Sequence, residues 1–102
     1  MQVSAVEWDP ANLSHFAEHG RCHRREVEEV LRARCHPTRA LALAREEGDE
    51  PRRLFHGRTC AGRYLAVVAA PRPADVMRPI TCWPLSEKSV NRYEAWRKTV
   101  KR

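Results

Sequence analysis

Three runs rich in β-formers, Arg52 to Thr59, Arg63 to Ala70 and Val76 to Trp83, follow one another with only CAG and PRPAD between them. Connections that short join antiparallel neighbours, because parallel neighbours need a long crossover. A fourth run, Arg39 to Ala44, alternates Leu41 and Leu43 with smaller residues and precedes the turn-forming EEGDEP, Glu46 to Pro51. It joins the same meander, so an antiparallel sheet is the centre of whatever this chain folds into.

The ends of the chain supply the cover. Val3 to Trp8 reads as a first short strand stopped by Asp9-Pro10. Asp9 is a good N-cap, Pro10 fits the first helical position and Gly20 is placed to end a helix of about ten residues. At 100° per residue Leu13, Phe16 and Ala17 form its buried stripe, and Ala11, Ser14 and Glu18 point to solvent. A second helix, Arg24 to Arg34, buries Val27, Val30 and Leu31 before HPT ends it. Pro84 and Ser86 open a last helix, with Ser89, Tyr93, Trp96 and Val100 toward the sheet and Glu87, Asn91, Glu94 and Lys98 on the opposite, solvated face. The order β-α-α-β-β-β-β-α predicts an α+β fold: an antiparallel sheet of four to five strands, two N-terminal helices and a C-terminal helix.

A length of 102 residues makes one domain with room for a single site. No apolar run approaches the ~20 residues that span a bilayer. MQVSAVEWDP lacks the regions of a signal peptide. A cytoplasmic protein without membrane association is therefore expected, and with it reduced thiols at Cys22, Cys35, Cys60 and Cys82. Cys22-His23 and Cys35-His36 do not read as a zinc set, since adjacent side chains diverge. No metal or cofactor is expected.

Nineteen Lys and Arg stand against 13 Asp and Glu, a net charge of +6. Most of those cations are arginine, which suits bidentate phosphate contacts. Nucleic acid or an acidic protein is a plausible partner; a merely soluble basic surface is the plainer reading.

Two groups of polar residues could carry chemistry. On the first helix Asn12, His15 and His19 lie within about 60° of one another, beside the buried stripe. Glu26 and Glu29 occupy the corresponding flank of the second helix. If the flanks face each other, a glutamate would orient an imidazole as a general base is oriented, or would only lock the helices together. If they point away, the pairing does not form. The strands carry Arg53, His56, Arg58, Arg63 and Arg78. Such cations could grip phosphates and stabilise a phosphorane-like transition state, leaving His56 for proton transfer. Alternation puts His56 and Arg58 on one face and Arg53 on the other.

WDPANLSHFAEHG followed by REVEEVL, then GRTCAGRYLAVV, then MRPITCWPLSEKSVNRYE, resembles the BrnT-type toxins of bacterial type II toxin-antitoxin systems and their uncharacterised relatives. The likeness spans nearly the whole chain. It implies a RelE-like fold and cleavage of RNA without a metal, by attack of a ribose 2′-hydroxyl on the adjacent phosphate. It also implies neutralisation by a cognate antitoxin protein, and a homodimer is compatible with it. Carried onto this sequence, His15, His19, His56 and Arg63 become the catalytic candidates. Arg53, Arg58 and Arg78 would bind RNA, and Asn12, Glu26 and Glu29 would orient. Thr81-Cys82-Trp83 stands where the BrnT pattern has a Ser-Ala-Arg-like run. That departure keeps open a second function, a non-catalytic module that binds RNA or an antitoxin.

Overall fold

A computed structural model describes residues 2–19, 21–42 and 51–100. The elements are β1 (Ala5–Val6), α1 (Pro10–His19), α2 (Arg24–Leu31), β2 (Arg39–Leu41), β3 (Arg53–Arg58), β4 (Tyr64–Arg72), β5 (Val76–Pro84) and α3 (Glu87–Arg97). The expected order is thus present, and the α+β class with it.

The sheet departs from expectation in one respect. Its strand order is β1-β5-β4-β3-β2. The β2 to β5 meander is antiparallel, but β1 pairs in parallel with β5 through Ala5 opposite Val76 and Val6 opposite Met77. The sheet is therefore mixed. The first strand lies beside the last one rather than beside its sequence neighbour: α1 and α2 carry the chain from β1 to β2 at the opposite edge, and the helices and the meander together make the long connection between the parallel pair.

Helix boundaries follow local chemistry. The Asp9 carboxylate accepts the Asn12 N–H at 3.0 Å and the Asn12 side chain accepts the Asp9 N–H at 2.8 Å, a reciprocal cap at the start of α1. Ser86 accepts the Ser89 N–H in the same role at α3. Helix α2 stops at Leu31, short of the expected Arg34, because Ala33 takes a left-handed φ of 49°. Strand β2 ends at Leu41; Gly20 and the Glu46 to Glu50 part of the expected turn lie outside the described residues.

The face of α1 is rotated from the one expected. Phe16 is buried and Leu13 half-buried, but Ala17 is exposed and Asn12 takes its place inside. Helix α2 buries Val27, Val30 and Leu31 as its spacing predicts. Together with Phe55, Leu65, Val67, Ala69 and Met77 they form the core between the helices and one sheet face. Full burial of each large apolar side chain stabilises by about 1.5–3 kcal/mol.

Gly57 shows how close that packing is. A Cβ there would lie 2.7 Å from Val30 Cγ1, so β3 turns Phe55 and Gly57 toward α2. Alternation then sends Leu54, His56 and Arg58 to the opposite face. Helix α3 covers part of that second face, where Tyr93 is buried against Tyr64 and its hydroxyl donates to the Pro37 carbonyl.

The cysteines correct a further expectation. Two disulfides form, Cys22–Cys82 and Cys35–Cys60, in place of four thiols. Cys82 pairs with Val67 on the helix-facing side of β5, below the link between α1 and α2 that carries Cys22. The turn after β3 carries Cys60 to the segment after α2 that holds Cys35. The Cα separations of 6.3 Å and 5.2 Å lie within the span a disulfide bridges.

Candidate functional site

Strands β2, β3 and β4 build a polar site on the face that α3 only partly covers. Arg39 stands opposite His56 across β2 and β3, and Arg58 follows two residues further along β3 on the same face. Directly opposed strand residues hold their Cβ atoms about 4.5–5.5 Å apart, so these are fixed neighbours. Burial pushes the His56 imidazole below its ordinary pKa, and the Arg39 guanidinium lowers it further. At neutral pH it is therefore uncharged, the state a proton acceptor needs.

Aromatic rings line the same surface. The Arg58 guanidinium sits 4.8 Å from the centroid of Tyr64, and that of Arg39 sits 6.0 Å from Trp96. Arg58 Nε donates to the Gly62 carbonyl at 3.2 Å; Gly62 has φ +99°, a conformation glycine adopts without strain. Tyr64 donates its hydroxyl proton to Glu94 at 3.1 Å, and Arg97 clamps the same carboxylate at 2.8 Å. The Arg97 hydrogen bonds hold Glu94 below the usual carboxylate range. Burial, then the bond to Glu94, push Tyr64 up, so it stays a neutral donor. Among the described residues, Arg39 and Arg58 are in no ion pair with a carboxylate. Arg39 thus offers its charge to an incoming anion, while Arg58 also helps to lower the Glu94 carboxyl.

The other catalytic candidates sit elsewhere. His15, half-buried, borders an open cavity of about 270 Å³ with Arg21, Thr81 and Cys82, beside β5. Arg63 is held at 2.8 Å and 2.9 Å by both oxygens of Glu26, and donates to the Arg21 carbonyl at 2.9 Å. Glu26 also accepts the His23 N–H at 3.0 Å. Glu29, only 8% exposed, accepts the Cys60 N–H at 3.0 Å and Arg25 Nε at 3.3 Å. The hydrogen bonds described for both glutamates thus go to arginine and backbone. Helix α1 packs on β5, α2 packs on β3, β4 and also β5, and His15 stands beside Thr81 and Cys82 of β5. The His19 side chain lies outside the described residues.

Three remaining candidates have structural surroundings. Asn12 donates from Nδ2 to the Glu7 carbonyl at 3.0 Å and the Pro79 carbonyl at 3.2 Å, and so braces α1 against β5. Arg78 bonds to Asp9 and Glu7, whose charges consume its own. Arg53 lies at the exposed start of β3, with the parity of Phe55. The candidates therefore divide between two faces of the sheet, and only His56 and Arg58 meet in one site. Sequence reasoning missed Arg39, Tyr64 and Arg21. Arg39 opens a run read as a strand, and its alternation was the one available signal; its partner depends on a register that the sequence does not print.

Among the described residues no three His, Cys, Asp or Glu side chains are grouped to hold a metal ion, and no helix is long and apolar enough to cross a membrane. No family model matches the chain and no curated protein is similar to it.

Proposed function

We propose that this chain is the toxin of a bacterial type II toxin-antitoxin pair, a BrnT-type endoribonuclease of RelE-like fold that cleaves RNA without a metal. One observation carries the reading: an uncharged, half-buried His56 on a rigid strand, flanked by Arg39 and Arg58. In this reading His56 takes the proton of a ribose 2′-hydroxyl as its oxygen attacks the adjacent phosphorus. The two guanidiniums bind the phosphate and stabilise its added charge, and the 5′-oxygen leaves with a proton from solvent, giving a 2′,3′-cyclic phosphate. Tyr64 and Trp96 offer stacking surfaces for flanking bases. Such an enzyme works on cellular RNA, and an antitoxin that silences it would present carboxylates to this basic face.

The test is cleavage of RNA by purified protein in EDTA. The parent should cut, and His56→Gln, Arg39→Gln and Arg58→Gln should each lose ~10²-fold or more in rate. His15→Gln should retain cleavage. Intact RNA with the parent, or equal cleavage by His56→Gln, would sink the assignment.

A second reading is a non-catalytic binding module for RNA or an antitoxin. It is favoured by the commitment of Arg63 to Glu26 and of Arg78 to Asp9, and by Trp83 at the position where the BrnT pattern has arginine. Such a module would leave growth unaffected on expression, yet form a complex that dissociates as salt rises.

A further inference from the structure

The two disulfides stand in opposite surroundings. Cys22 and Cys82 are 5% and 6% exposed within the core, whereas Cys35 and Cys60 are both at the surface. The exposed pair also opens onto a cavity of about 520 Å³, lined by Arg25, Glu28, Glu29, Arg34 and the two cysteines themselves. Arg25 is engaged by Glu29, and Glu28 by Arg24, which leaves Arg34 as the cation of that cavity without an ion pair among the described residues. A cation beside a sulfur favours its thiolate and so makes it a better leaving group.

From these observations we propose that Cys35–Cys60 is a site of thiol-disulfide exchange, open to a small thiol or dithiol, while Cys22–Cys82 is a permanent staple. An external thiolate enters the cavity and attacks one sulfur of the pair. A mixed disulfide forms, and the other cysteine departs as a thiolate beside Arg34. A second thiol displaces the mixed disulfide, so both cysteines end as thiols and the two electrons come from the reductant, which leaves as its own disulfide.

The fold survives this exchange because other bonds hold the turn. The Thr59 N–H donates to the Arg63 carbonyl at 2.8 Å, the Gly62 N–H to the Thr59 carbonyl at 2.9 Å, and the Cys60 N–H to Glu29 at 3.0 Å.

Native protein incubated with dithiothreitol or reduced glutathione, then alkylated and peptide-mapped, tests the site. Cys35 and Cys60 should be labelled at least about tenfold faster than Cys22 and Cys82. Glutathione should leave a mixed disulfide on Cys35 or Cys60, near-UV dichroism should be retained, and Arg34→Gln should slow the labelling severalfold. Labelling of all four cysteines at one rate, or only together with loss of the near-UV signal, overturns the proposal.

Discussion

Arg39 and His56 face each other across the β2–β3 ladder, so a half-buried imidazole stands beside a fixed positive charge. Both influences resist protonation.

If His56 is the base, cleavage should rise with pH to a plateau, with a midpoint below the ordinary 6.5. Arg39→Gln should move that midpoint up, yet not fully, since burial is the larger cause. The sign for stability is the same. The unfolded chain protonates first, so stability is lost as pH falls from 6.5 toward the lowered folded value. A pH–rate profile with its midpoint above 6.5 would count against His56.

Asp9 sits below its usual pKa of 3.8, first through its hydrogen bond from Arg78 and then through the Asn12 N–H. A depressed carboxylate contributes stability that is present above 3.8 and lost as pH falls through the lowered folded value. Melting temperature measured from pH 7 downward should therefore fall more steeply in the parent than in Arg78→Gln. Parallel curves would show that the pair does not couple to folding.

Asn12→Ala should destabilise by about 1–3 kcal/mol, because the Glu7 and Pro79 carbonyls lose a buried donor and α1 loses half of its reciprocal cap. Urea denaturation gives the value directly. A change inside experimental error would mean that water replaces the amide at no cost.

Gly57→Ala should cost about 1–3 kcal/mol by overpacking, since its Cβ would stand 2.7 Å from Val30 Cγ1 and 3.1 Å from Thr38 Oγ1. Val30→Ala added to Gly57→Ala should recover part of that loss. Additive penalties in the double variant would place the strain elsewhere.

What could be read in advance was what depends on nearby residues. Asp9 and Ser86 announce their helices because an N-cap is a contact within three positions, and β3 to β5 announce themselves by alternation and short turns. What could not be read depends on distant partners. The parallel pairing of β1 rests on Ala5 and Val6 alone, too few for a pattern. Asn12 rather than Ala17 is inside because a carbonyl at Pro79 awaits its amide. The Arg39–His56 pairing follows from strand register, which period-two alternation leaves undetermined. Cysteine positions likewise carry no information on which pairs will close.

The two bridges also decide what cutting the backbone would do. The segment from 35 to 60 lies within both covalent rings, since Cys22–Cys82 joins positions 60 apart and Cys35–Cys60 joins positions 25 apart inside that span. A protease that nicks the chain once in that interval would produce two fragments tied at two places, and the nicked protein would run as one species until a reductant was added. Below the exchange threshold of the buried bridge it would still run as one, held by Cys22–Cys82 alone.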